Sequence, residues 1–446
     1  MKQIIKVGLV LCCFLLWHAA VTAQSTGDYR SAGNGNWTNV NSWQRYDGTN
    51  WAVAPAAPGP SDGEVTIMSG HNITVNQNLT ADQVVVSVGA TLTLDLSLYI
   101  VDGPGDDLIV NGTLMWESGA IGNAANTGTT LINAGASVTM FTTGNKGIGC
   151  SIINNGNIDW QDGPWFFGNA IHTFTNNGNM TISGNNTMQN FSGGASLVNN
   201  GTITKTSSGT SDLHFSSGIF NNGTINLNAG TVTTLYAVTN TGAVVFNGGS
   251  YINRREFNFD AGTISGTGNF TNLSELNLAI DLEFPNTLIF TTNTSHTVAG
   301  PGDLTLNYDF TIEGHYNGPG ALIIHGNSVW NSGIVSRPFT IESGRTLTLA
   351  TTGNKLIAAP FINNGHIDWQ NGNIGFNANT TLTNNGTITI GGNNAMQNGD
   401  SFGTFVNNGT VTKTSTGTTT FFLTAFSNNS GAIFKGLGTI SLGSVT

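Results

Sequence analysis

Between residues 150 and 230 apolar residues alternate with Thr, Ser or Asn in short runs, as in Ile225-Asn226-Leu227. The same alternation returns at Ile388-Thr389-Ile390. Alternation over a few residues, bounded by Gly and Asn, is the signature of half-buried strands. The boundaries repeat as well. Asn-Gly glycines stand at Gly156, Gly178, Gly201 and Gly223, and again at Gly365, Gly386 and Gly409, spaced 21 to 23 residues apart. Two or three short strands per coil, repeated at this period, describe a β-solenoid, since one coil cannot bury its apolar face without neighbours. The Asn-Gly pair is expected to turn the corner through positive φ, with stacked Asn side chains forming a hydrogen-bonded ladder. At a strand spacing of ~4.8 Å, roughly 19 coils give a rod about 90 Å long.

A longer repeat lies over the first. "TTGNKGIGCSIINNGNIDWQDG" at 142–163 returns as "TTGNKLIAAPFINNGHIDWQNG" at 351–372, an offset of 209 residues. Two blocks, about 108–242 and 322–446, share this pattern, with a less regular stretch containing "YINRREFNFD" between them. The near-constant offset implies that the copies lie a whole number of coils apart, about nine, and so on one face. The parallel β-helix is expected over 61–446 and to be right-handed, by the chirality of parallel crossovers. Residues 24–60 contain Trp37, Trp43, Tyr46 and Trp51 and read as a cap over the exposed first coil. An aromatic platform for sugars is the other reading of these rings.

Composition narrows the function. Charged residues are 8% of the chain and Gly accounts for 60 of 446 positions. The start, "MKQIIKVGLVLCCFLLWHAAVTAQ", reads as a secretory signal peptide over 1–23, cleaved after Ala23. Its apolar run is short for a membrane span. No membrane span is expected after its removal. Without Lys2 and Lys6 the chain keeps 11 basic and 24 acidic residues, a net −13. That balance argues against a nucleic-acid partner, because phosphate binding needs a basic surface. Cys150 remains as the lone cysteine, so no intrachain disulfide can form.

The Trp-rich start, the run "SDGEVTIMSGHNITV" leading to "VVVSVGATLTL", and the NNGTI coils resemble secreted right-handed parallel β-helix surface proteins of the Bacteroidetes type, with pectate-lyase-like solenoids. The resemblance implies a secreted or cell-surface protein, exported by the type IX pathway. Such proteins usually end in a compact sorting domain. This chain stops at "GTISLGSVT" within a strand-like pattern, which reads as a piece of a longer protein.

Some parallel β-helices cleave polysaccharides, which requires paired carboxylates across a cleft or Ca²⁺ held by several acids. Asp106-Asp107 form a pair, but the Gly-His-Gly and Arg-x-Lys elements of the pectin hydrolases do not follow. Asp102, Asp106 and Asp107 read as a solvated acidic turn rather than a Ca²⁺ site. The seven remaining His are scattered, so no metal and no cofactor are assigned. No catalytic residue is assigned either. The candidate ligand site is the repeated "IDWQ", with Asp159-Trp160 and Asp368-Trp369. An exposed Trp beside a carboxylate stacks and hydrogen-bonds sugar rings, and two copies would add avidity on a polymer. Alternation, however, puts each Trp on the same side as the preceding Ile, which points to the core. Lys146/Lys355 and Lys205/Lys413 also recur in register and read as solvated charges. The Thr-x-Thr runs raise ice binding, but they do not hold one position from coil to coil. The expectation is an extracellular structural or adhesive stalk, a monomeric rod without a catalytic site. The alternative is a β-helix that binds or degrades polysaccharide, with cell-surface glycans as partners and a groove near 243–320 or along the Asp-Trp face.

Overall fold

Alternation over three or four residues places every second side chain inward, and the computed structural model follows this along the chain. It describes residues 24–100, 106–122, 128–168, 172–190 and 194–443. These form an all-β parallel solenoid of about 17 turns, each of about 21 residues. Among the described residues one short 3₁₀ turn, Val40–Ser42, interrupts the strands.

One sheet of 22 strands runs from the N-terminal hairpins to Thr439–Gly443. It begins with the antiparallel strands Trp51–Val53, Trp43–Tyr46 and Tyr29–Ser31, then becomes parallel. A second sheet has 20 strands arranged as two columns. The long strands Ala243–Asn253 and Thr263–Asn272 fuse those columns by running straight through the corner between them. Beyond this point the two columns continue as separate sheets of eight and seven strands. Inside lies one apolar cluster, from Trp37 and Trp43 at one end to Phe421 at the other.

The Asn-Asn-Gly corners divide their labour. The first Asn points inward, and its amide bonds to the equivalent Asn one coil on. Asn154 Nδ2 donates to Asn176 Oδ1 at 2.7 Å, Asn176 to Asn199 at 2.8 Å, Asn199 to Asn221 at 2.7 Å and Asn221 to Asn240 at 2.7 Å. A second set joins Asn363, Asn384, Asn407 and Asn428. The second Asn of each pair points outward and builds an exposed ladder, with Asn177 donating to Asn155 at 2.9 Å and Asn200 to Asn177 at 2.9 Å. The glycine has a different role from the one expected. None of the seven Asn-Gly glycines has a left-handed φ. Their hydrogen is needed because coils approach closely: a Cβ on Gly201 would run into the carbonyl oxygen of Gly178, and one on Gly178 into that of Gly156.

The two blocks are not on the same face. Asn154 belongs to the 22-stranded sheet, whereas its sequence counterpart Asn363 belongs to the eight-stranded one. The physical reason is coil length. Along the ladder Asn199 and Asn221 are separated by 22 positions and Asn221 and Asn240 by 19, and on the outer side of the same sheet Asn258 and Asn277 are separated by 19. Farther on, Asp309 and Asn327 are separated by 18. Ten successive pairings lead from strand Ser151–Asn154 to strand Lys355–Ile357, which is one strand short of Phe361–Asn363. The offset between the two copies is therefore ten turns plus one strand, and the second block is rotated by one face.

Candidate functional site

The repeated Asp-Trp pairs resolve into an inner and an outer half. Trp160 ends strand Asn157–Trp160 and Trp369 ends strand His366–Trp369, and both indoles are fully buried. The core reading holds for them, and neither can stack on a sugar. Each Nε1–H satisfies a carbonyl that the corner turns inward, Trp160 to Gly163 O at 2.6 Å and Trp369 to Gly372 O at 2.7 Å. Gly163 and Gly372 do take left-handed φ, of 76° and 74°, which is what turns those carbonyls. Asp159 and Asp368 are half-buried on the outside, each tied by the Gln two residues on, with Nε2 donating to Oδ2 at 2.7 Å. They stand in different sheets, the 20-stranded and the seven-stranded, so the expectation of one shared face is corrected.

The four recurring lysines correct a second expectation. Lys146, Lys205, Lys355 and Lys413 are fully buried rather than solvated. Like the tryptophans, they deliver N–H donors to inward-facing corner oxygens. Lys146 Nζ donates to Thr142 O and to Asp162 O, the latter at 3.1 Å, and Lys355 Nζ repeats this with Thr351 O and Asn371 O. Lys205 Nζ reaches Gly184 O at 2.8 Å and Asn185 Oδ1 at 3.1 Å; Lys413 Nζ reaches Gly392 O at 2.8 Å and Asn393 Oδ1 at 3.2 Å. Burial pushes the amines of Lys146, Lys205 and Lys355 down to about 8 and lowers that of Lys413. Arg337 plugs a further corner in the same manner, through the carbonyls of Asn317, Gly302 and Gly300. Trp116 and Trp330 complete the series, donating to Gly119 O and Ser332 O.

Asp107 is buried, which corrects the solvated acidic turn; Asp106 is half-buried, and Asp102 lies outside the described residues. Among the described residues no three His, Cys, Asp or Glu side chains converge as metal ligands. No helix among them is long and apolar enough to cross a membrane. In the charged run, Arg254, Arg255 and Glu256 are exposed while Tyr251, Phe257 and Phe259 fill the core. The Thr387/Thr389 pair lies in register with Thr410/Thr412, but His366/Asp368 occupies the neighbouring coil and breaks the array.

The aromatic residues of the first segment separate by depth. Trp37 and Trp43 are buried edge to face with ring centres 4.9 Å apart, and their indoles donate to Pro58 O and Trp37 O. Trp51 stays half-exposed on the outer hairpin beside Tyr46, 5.3 Å between ring centres. A cleft of about 250 Å³ opens next to it, lined among others by Asp28, Arg30, Trp51, Glu64, Thr66 and Met68. Sequence reasoning named Trp51 and Tyr46 but missed the polar members. No spacing links them: the antiparallel hairpin brings Arg30 beside Gln44, and the parallel step brings Arg30 beside Thr66. Comparison with family models, with curated proteins and with solved structures finds no match for this chain.

Proposed function

We propose that this chain is an extracellular structural stalk, a right-handed rod that spaces or presents binding elements away from a cell surface. The observation that carries the reading is the 22-stranded sheet that continues from the N-terminal hairpins to the last coil. Stiffness follows from this continuity, because bending the rod must break ladder hydrogen bonds and shear a close-packed core. The buried Asn ladders add a second set of inter-coil bonds. Acidic excess, 24 Asp and Glu against 13 Lys and Arg in the whole chain, keeps neighbouring rods from associating without specificity. The amino-terminal signal would take the chain out of the cell, where a fold that uses no disulfide is stable in either redox state. The reading assigns no reaction to the rod itself.

Fractionation of producing cells, joined to electron microscopy of the purified chain, tests this. The expected result is protein outside the cytoplasmic membrane, beginning at Gln24 and seen as straight rods. With a rise of ~4.8 Å for each turn, the rods should measure roughly 80 Å. Retention in the cytoplasm, or bent particles, would overturn the reading.

A further inference from the structure

Of the eight tryptophans among the described residues, Trp37, Trp43, Trp116, Trp160, Trp165, Trp330 and Trp369 are buried, and several satisfy named carbonyls. Trp51 is the exception. It lies on the outer hairpin with one face under the Arg30 guanidinium, whose carbon is 4.5 Å from the ring centre. We infer that the cleft between Trp51, Arg30 and Glu64 is a binding site for one pyranose unit of a neutral glycan.

Its polar groups are held in place before any ligand arrives. Arg30 Nε donates to Gln44 Oε1 at 2.8 Å, which fixes the guanidinium plane and leaves its terminal nitrogens as donors. Glu64 Oε1 accepts from Thr66 Oγ1 at 2.9 Å, leaving the other oxygen to accept from a ligand. Asp28 is held by the Ser25 amide at 2.6 Å and the Glu64 amide at 3.2 Å. Donors and acceptors therefore converge beside an indole and the Met68 side chain. That combination suits a sugar ring, which offers an apolar C–H face together with hydroxyls that both donate and accept. The volume of about 250 Å³ falls below the ~300–1,000 Å³ of sites for drug-sized ligands, so a single ring fills it.

Charge selects among sugars. Two carboxylates, Asp28 and Glu64, face the Arg30 guanidinium and, in the processed chain, the Gln24 ammonium, so the cleft has no net positive charge to draw a uronate or sulfated unit, whereas an uncharged ring meets acceptors for its hydroxyls. Outside the cleft the surface also suits a neutral chain. The outward column continues from Thr66 to Val85, Ile109 and Leu131, in register and without a charge. A glycan held by one ring can lie along this strip. The site would make the rod's N-terminal end adhesive, which goes beyond the spacer reading and does not depend on it.

The test is saturation-transfer NMR with titration on the secreted full chain, using cellotriose, N-acetylchitotriose, mannotriose and trigalacturonate as probes. At least one neutral trisaccharide is expected to bind, with trigalacturonate weaker. Trp51→Ala should weaken binding by about tenfold or more, Arg30→Gln should weaken it too, and Trp160→Phe should leave the affinity unchanged. Trp51 sits on an outer hairpin, so circular dichroism should show the same fold in Trp51→Ala. Absence of transfer to every neutral probe at about 10 mM overturns the inference. Preference for trigalacturonate, or wild-type affinity in both variants, overturns it equally.

Discussion

Lys205 offers the most searching test of how the corners are built. Its ammonium is fully buried, donates to Gly184 O, Asn185 Oδ1 and Ser207 Oγ, and has no carboxylate among its hydrogen-bond partners. Removal from water lowers its pKa from 10.5 to about 8, and the same cause, partly opposed by Asp162 and Glu117 at Lys146, acts on Lys146 and Lys355. Between these two values the unfolded chain holds more protons than the folded one, so stability must rise with pH. The gain is absent below about pH 8 and complete near 10.5. Each lysine contributes at most about 1.4 kcal/mol per pH unit across that interval, a few kcal/mol in all. Burial raises Tyr251, Tyr308 and Tyr316, whose stabilising effect is present below their ordinary value of 10.0 and fades as pH rises through it. Stability should therefore climb from pH 8 to about 9.5 and turn over above 10. Urea unfolding followed by tryptophan fluorescence, at constant ionic strength, reads the slope. Lys205→Met should remove about 1.4 kcal/mol per pH unit from it. At pH 7 the same variant should lie within about 2 kcal/mol of wild type, since lost donors to Gly184 O and Asn185 oppose relief of a buried charge. A flat or falling wild-type profile from pH 8 to 9.5, or an unchanged slope in Lys205→Met, would refute this account of the buried amines.

Three further outcomes follow from the stacking. Asn199→Ala removes bonds to Asn176, Asn221 and Thr224 O, whereas Asn200→Ala removes bonds of the exposed ladder alone. The inner change should destabilise by about 2–4 kcal/mol and the outer one by less than about 1 kcal/mol. Equal effects in urea unfolding would contradict the inner–outer division. Gly201→Ala forces a methyl against the Gly178 carbonyl. Its cost should be at least about 1–3 kcal/mol; a neutral thermal melt would show that the coils are farther apart than described. Trp160→Phe keeps most of the apolar volume but leaves Gly163 O without its indole donor. The expected loss is about 1–3 kcal/mol, and if that variant melts with wild type, the corner carbonyl does not need its donor.

Much of this was legible beforehand, and the reasons are local. Alternation in Ile225-Asn226-Leu227 decides which side chains share a side, and the structure buries Ile225 and Leu227 while Asn226 faces out. The same rule placed Trp160 with Ile158 inside. It also places Lys205 with Ile203, yet a lysine on the inner side was read as solvated because its partners could not be seen. Those partners are backbone carbonyls such as Gly184 O, 21 residues earlier, and backbone oxygens carry no signature in a sequence. The glycine of Asn-Gly failed for a related reason. Its need for a missing Cβ arises from the coil before it rather than from its own φ.

Sequence alone determined the class of the fold, the approximate length of the coil and which apolar residues face inward, because these depend on periods of two and of about 21 residues that any reader can count. It could not determine how the two blocks face. That depends on small differences in coil length, 22 positions from Asn199 to Asn221 but 19 from Asn221 to Asn240 and 18 from Asp309 to Asn327, which add up to one strand. Nor could it assemble the cleft of Trp51, Arg30 and Glu64, whose members meet through antiparallel and parallel pairings of the first strands. Repeats fix what happens within a coil, while rotation between blocks and contacts between ends accumulate along the rod and are settled only when the coils stack.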